Sequence, residues 1–377
     1  MQGMHEVGAT YKVVKFCSVQ KFFFSALLLL CIVAPANSNN APEDTIREPF
    51  NAGDLIIGKA IDNFEWDIAK VGDSYIALPL PIILIYDGRF YFFLSSRFEH
   101  GKASYKGFGI GKTGSQRNRI IRVLDDGVTP DPNAGRLWNF SISKAAFSGL
   151  VSALLLCLVF VWVGKQYTKM GPGGTPKGFC ALVEIIIIFV LKSTAFSSIS
   201  HKYVHRFLPY LLSLFFFIFF SNILSLVPFF PGGVNITGNI SVTFVLAMFT
   251  FFTTQFLANK GYWKHIFNTP GVPVFLKFPI PLMPIIELVG VFIKPFVLMI
   301  RLFANMTAGF MSILGFVCLI FVLGEFSTFA GFLVSPLVVF FLIFMNFLKI
   351  LVAFLQAYVF TLFSAMFFGM AVPDDHH

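Results

Sequence analysis

Over its last two thirds the chain alternates long apolar runs with short basic loops, and before that it is mixed. Residues 145–164 are almost all apolar, enough for one crossing helix at about 1.5 Å per residue. Lys165, Lys169 and Lys177 follow, with a Gly-Pro-Gly-Gly turn at 171–174. An excess of Lys and Arg in short loops marks the cytoplasmic side. Residues 178–197 hold Glu184 and Lys192 inside an apolar run, which reads as a surface-lying helix or a poor span. A second clear span is expected over 207–230, after the basic loop 201–206, with breaks at Pro228 and Pro231. A third is expected over 239–258, followed by Lys260 and Lys264.

The last hundred residues carry two apolar runs, 279–323 and 326–371, each above forty residues. Forty helical residues reach about 60 Å, twice the hydrocarbon thickness, so such helices must tilt, bend or break. Pro284 and Pro295 offer bends in the first run, and a turn near 324–327 joins the two as a hairpin.

The polar residues in these runs are regularly spaced. Glu287, Lys294 and Arg301 recur every seven residues, which puts them on one helix face. Asn305 extends that face, and Ala304, Ala308 and Gly309 beside it would let a second helix approach closely. In the second run Asn346, Lys349, Ala353, Gln356 and Ser364 also fall near one face. The opposite faces are Phe, Leu, Ile and Val, suited to lipid. An Arg, Lys or Asp at mid-helix costs about 2.5–3.5 kcal/mol on insertion scales, so such residues default to function or to snorkelling near an end. Two matching stripes point to a shared hydrated or ion-conducting seam.

Upstream, residues 1–38 read as a secretory leader, with Lys12, Lys15 and Lys21, an apolar stretch at 22–33, and Ala36-Asn37-Ser38 as a cleavage site. An uncleaved span or a mitochondrial import leader are the other readings. Residues 39–143 hold most of the acidic residues and read as a small accessory domain outside the cytoplasm. Its apolar runs 75–86 and 90–94 are expected to be strands or membrane-surface segments.

Composition narrows the class. Hydrophobic residues make up 56% and charged residues 12%, against about a quarter charged in soluble domains. The expectation is an all-α polytopic membrane protein: about five crossing helices, the last two a long tilted hairpin, with a small extracytoplasmic N-terminal region. The net charge of +9 lies largely in loops, which favours topology over nucleic-acid binding. The five cysteines form no CxxC pair, so neither disulfides nor structural zinc are expected. His201 and His205 are four apart but lack a third ligand, and His376 and His377 end the chain in a solvated tail, so no metal is expected. There is no P-loop and no cofactor motif, so the chain does not itself handle ATP. The spans hold no nucleophile–base pair and no HExxH, which argues against an intramembrane enzyme. No inverted repeat supports a secondary transporter.

Arg301-Leu302-Phe303-Ala304-Asn305-Met306-Thr307-Ala308-Gly309 resembles the signature of F-type ATP synthase subunit a, and 351–361, with Gln356, resembles that family's last helix. Residues 222–228 and 239–243 add weaker support, and the resemblance covers about 137–371. The leader and N-terminal region look like a bacterial version of the family. The resemblance implies two half-channels reaching a ring of c subunits, with Arg301 between them as the essential arginine. It implies Gln356 facing that arginine, Asn305 as a polar neighbour, and Glu287 at a half-channel. Lys294, Asn346 and Ser364 are supporting candidates. The implied partners are the c-ring, peripheral-stalk subunit b, other ATP synthase subunits and lipid, in a bacterial inner membrane or alternatively a mitochondrial one. Two positions depart from the family: Phe310 stands where His or Glu is usual, and Lys349 where Glu, His or a small residue is usual. Lys349 then replaces the relay residue, pairs with Glu287, or stays charged as a gate.

Overall fold

The computed structural model describes residues 53, 62–71, 74–101, 103–111, 118–124, 129–131, 135–170, 175–227, 232–267 and 282–372. The leader, the turn at 171–174, Pro228, Pro231 and the terminal histidines lie outside them.

The N-terminal region is built of short strands. β1 (Glu65–Val71) pairs antiparallel with β2 (Ser74–Pro79). β3 (Pro81–Tyr86) pairs with β4 (Arg89–Leu94). Asp87 and Gly88 turn that hairpin at φ of 52° and 73°, and a two-residue Asp-Gly loop with positive φ suits the right-handed twist of paired strands. β5 (Phe108–Ile110) pairs with β6 (Ile120–Arg122), and β7 (Trp138–Asn139) lines the free side of β3, in the order β4-β3-β7. Ile82, Leu84, Phe93, Phe98, Phe108 and Ile120 form the core, while alternate positions Phe90, Phe92 and Leu94 face outward. The apolar runs at 75–86 and 90–94 are therefore strands.

This region is clamped onto the first membrane helix. Four residues separate β7 from α1 (Lys144–Met170). Lys144 N–H donates to Asn63 O at 2.7 Å, and Ala145 N–H donates to Asp62 Oδ1 at 2.9 Å. Trp66 meets Phe147 edge-on at 5.9 Å. A carboxylate at a helix N-terminus satisfies an orphan N–H and matches the dipole.

α2 (Phe179–Val190) continues through a π turn at Leu191–Ala195 to Ser198. α3 (His201–Leu224), α4 (Ile240–Leu257) and the short α5 (Lys260–Phe267) follow. α6 (Leu282–Phe326) and α7 (Thr328–Ala371) form the hairpin, turning at Ser327. Gly331 lies against Gly324 there, where a Cβ on Gly331 would come within 2.8 Å of the Gly324 Cα. Pro284 does not bend α6: it sits in the first turn, where a missing N–H costs nothing. Pro295 is the internal proline, and the helix continues through it.

Six described helices, rather than five, are long and apolar enough to cross a membrane. The sixth is α2, the run whose two charges left it open. It meets Trp162 and then Tyr167 of α1 through Phe179 and Glu184. Further on, Phe189 meets Phe354 and Tyr358 of α7, and a Cβ on Gly369 would reach the Ser198 carbonyl. These contacts rise together in sequence, so α2 descends in the same direction as α1 and α7. Glu184 is accommodated because Tyr167 Oη donates to it at 2.9 Å. The basic segment at 201–206 is the start of α3 rather than a loop.

Candidate functional site

The hairpin carries the polar stripes. Arg301 is half-buried on α6, with Cζ 5.0 Å from the ring centre of Phe363 on α7. No carboxylate pairs with it among the described residues. Gln356, also half-buried, lies seven residues before Phe363, about two turns away. The offset has a simple cause: helix side chains lean toward their own N-terminus, which on α6 is toward the C-terminal part of antiparallel α7. Phe363 is therefore a neighbour of Arg301 that the polar pattern did not single out.

Lys349 is 7% exposed, and its Nζ lies 5.5 Å from the Phe310 ring centre. A Cβ on Gly309 would stand 3.9 Å from the Lys349 Cγ, so the glycine leaves room for the lysine stem. The two departures from the family pattern thus face one another, about 14 Å along α6 from Arg301. Glu287 is some 35 Å from Phe310 along the same helix by residue count, which removes an ion pair between Lys349 and Glu287. Asn305 and Lys294 on α6 are exposed. Asn346 Nδ2 donates to Leu342 O at 2.8 Å within its own helix.

Further polar groups surround the arginine, and of their members only Ser364 and Glu287 came from the hairpin pattern. Toward the start of α1, Ser152 Oγ and Ser221 Oγ are 2.9 Å apart, both fully buried. Thr237 Oγ1 donates to Asn222 Oδ1. Asn235 Nδ2 donates to Met306 O at 3.1 Å, and Thr307 Oγ1 donates to Gly238 O at 3.3 Å, so segment 235–239 is fastened to α6 just beyond Arg301. Gly238 is required by this packing: a Cβ would fall 2.0 Å from the Asn235 amide. Ser148 Oγ and Asn222 Nδ2 are buried without a hydrogen-bond partner among the described residues.

On α7, Ser364 Oγ lies 3.5 Å from Thr250 Oγ1, which is 2.9 Å from Tyr210 Oη. Ser364 follows Phe363, so this cluster is level with Arg301. Toward the other end, Gln255 on α4, Tyr262 on α5 and half-buried Glu287 on α6 meet. Burial pushes the Tyr262 phenol up, and the nearby Glu287 carboxylate adds to the rise, against a Gln255 hydrogen bond that lowers it.

The family described as ATP synthase A chain matches residues 146–369, well over half of the chain. The chain belongs to the ATP synthase subunit a family. A protein named ATP synthase subunit a 2 from Prosthecochloris aestuarii is 36% identical over 316 residues, covering 80% of this chain and 93% of the relative. ATP synthase subunit a from Chloroherpeton thalassium is 41% identical over 246 residues, 64% of this chain and 69% of the relative. ATP synthase subunit a from Myxococcus xanthus is 38% identical over 245 residues, covering 63% and 75%. Residues 55–140 match a second family, described only as a domain of unknown function. As a member of the subunit a family the chain is a multi-pass, proton-conducting membrane subunit of ATP synthase, not a catalytic one. No group of His, Cys, Asp and Glu able to hold a metal occurs among the described residues.

Proposed function

We propose that Arg301 is the essential charge between two half-channels, through which this subunit a passes protons to and from a ring of c subunits. The observation that carries this reading is the position of Arg301: half-buried in the hairpin, unpaired by any described carboxylate, with the Asn222–Thr237 group toward one side of the membrane and the Gln255, Tyr262 and Glu287 group toward the other. The chemistry supports it. A guanidinium stays protonated at any relevant pH, so it cannot relay a proton and blocks a direct leak. It also favours the ionised form of a passing carboxyl group in a low-dielectric setting. The driving force is about 2.3 kcal/mol per proton per 100 mV, so several protons are needed per ATP.

Ser152, Ser221, Asn222, Asn235 and Thr237 belong to the extracytoplasmic half-channel, and Glu287 with Tyr262 and Gln255 to the cytoplasmic one. The positive-inside bias supports this orientation, because the Glu287 end lies beside Lys260 and Lys264. Lys349 takes the place of the usual relay residue. Gln356 and Asn305 line the seam near the arginine; Lys294, Asn346 and Ser364 support it. Residues 1–38 are a leader, 39–143 an extracytoplasmic region and 144–377 the membrane domain. The partners are the c-ring, peripheral-stalk subunit b and the other ATP synthase subunits, in a bacterial inner membrane.

The test is ATP-driven proton pumping in vesicles carrying Arg301→Ala, with assembly measured in parallel. Lost pumping in a normally assembled complex supports the reading. Retained coupled pumping removes it.

A further inference from the structure

The subunit a match begins at residue 146, yet one carboxylate from the region before it reaches the membrane helices. Asp62 Oδ1 accepts from Ala145 N–H at the start of α1, at 2.9 Å. Its Oδ2 accepts from Asn239 Nδ2 at 3.0 Å, across 177 residues of sequence. Asn239 caps α4, with its Oδ1 accepting from Ser241 N–H at 2.9 Å. One carboxylate thus joins the N-terminal β region to the outer ends of two membrane helices.

The same few residues lead inward. Asn239 ends segment 235–239, whose Asn235 and Gly238 bond Met306 and Thr307 on α6. Gly149 of α1 packs against Ile236 in that segment, where a Cβ would lie 3.7 Å away. Ser148 precedes Gly149, and Asn222 accepts from Thr237, the neighbour of Ile236; Ser148 Oγ and Asn222 Nδ2 are each in a side chain 1% exposed and each without a protein partner among the described residues. Buried polar atoms without a protein partner are sites for water, which makes two to four hydrogen bonds in such places. Asp62 therefore stands at the outer end of a run of buried polar groups that finishes against α6 near Arg301. Its own surroundings suit a group that exchanges a proton. Burial raises its pKa above the ordinary carboxylate value, while Ser143, the Ala145 N–H and the charge of Lys144 pull it down.

We propose that Asp62 is the mouth residue of the extracytoplasmic half-channel, a proton-accepting carboxylate supplied by the accessory domain rather than by the membrane domain. It takes a proton from outside water and releases it to water held by Ser148 and Asn222, which leaves the carboxylate ready for the next. This rests on the half-channel reading above.

The experiment is ATP synthesis in proteoliposomes of the whole complex, at fixed membrane potential and inside pH, as the pH on the extracytoplasmic side is varied. Asp62→Asn keeps an acceptor for the Ala145 N–H but cannot carry a proton. The half-maximal rate is expected to move to a proton concentration roughly tenfold higher, with the rate recovering at acid pH; Asp62→Glu is expected to restore the native profile. A residue that only caps α1 would lower the rate equally at every pH, or not at all, and either result overturns the proposal. Should Asp62→Asn fail to assemble, Asp62→Cys treated with a membrane-impermeant methanethiosulfonate decides: a block supports the proposal and an unchanged rate refutes it. Arg301→Ala is run alongside. If that variant still couples, the half-channel reading itself fails; if it is dead while Asp62→Asn keeps the native profile, only the role of Asp62 is lost.

Discussion

Lys349 Nζ lies 5.5 Å from the ring centre of Phe310. An ammonium over an aromatic face is held by about 0.5–2 kcal/mol, more when desolvated. If Lys349 relays protons, Lys349→Arg keeps the charge and the ring contact but cannot release a proton. Pumping in assembled Lys349→Arg and Lys349→Ala complexes is expected to fall by at least about a hundredfold, the lower range for general acid–base transfer. Near-native pumping with Lys349→Arg would assign the lysine a fixed-charge role instead. Phe310→His on the Lys349→Ala background is expected to recover part of the flux, because it returns a titratable group to the facing position.

The Ser152–Ser221 pair is fully buried at 2.9 Å between α1 and α3. Removing one hydroxyl leaves the other without this partner, which costs about 1–3 kcal/mol. Ser221→Ala is therefore expected to lower the unfolding temperature of the detergent-solubilised chain. The double variant Ser152→Ala, Ser221→Ala is expected to unfold above Ser221→Ala alone. Additive losses would show that the hydroxyls do not act as a pair.

Two glycines make opposite predictions. A Cβ on Gly369 would fall 1.9 Å from the Ser198 carbonyl, where α7 abuts the end of α2. Gly369→Ala must push the helices apart and is expected to destabilise by about 1–3 kcal/mol or more. Gly290 lies inside α6 with nothing within 4 Å of an added Cβ. Gly290→Ala is expected to stabilise the isolated chain by roughly 0.5–1 kcal/mol, the helical penalty of glycine. Thermal unfolding of both in detergent checks the pair.

Asp62 makes stability depend on pH in a definite direction. Its pKa in the folded chain is raised above 3.8, chiefly by burial. The folded state then holds the proton more tightly than the unfolded state, so this contribution is complete below that value and is lost as pH rises through the folded pKa. The wild-type chain is expected to lose stability relative to Asp62→Asn as pH rises from 3.8. A difference independent of pH would contradict the direction of the shift.

The hairpin was legible because its polar residues recur at helical spacing in a setting that is otherwise apolar. Lys349 and Phe310 were noticed separately as departures, and only antiparallel packing brings them face to face. Phe363 escaped notice because an aromatic on an apolar helix carries no polar signal. Asp62 had no local signal either, since its partner Asn239 lies 177 residues away. Asn222 and Asn239 were noticed for their resemblance to the family, but their joining to segment 235–239 depends on how α3 and α4 dock. One missed feature was readable: Asp87-Gly88 between the runs 75–86 and 90–94 is a hairpin signal. The direction of α2 was not readable, because it rests on the contacts of Phe179, Phe189 and Gly369.

The outward sides of α6 and α7 are almost wholly aliphatic and aromatic, with Phe292, Phe296, Phe332, Phe340 and Phe347 among the most exposed. Attraction between such surfaces has no preferred direction, unlike a hydrogen bond or an ion pair. A neighbour turning past this wall would find no notch at which to stop. On the proposed function the hairpin would then serve as a bearing, and the few polar groups set into it, Arg301, Asn305 and Lys294 among them, as marks for a passing subunit.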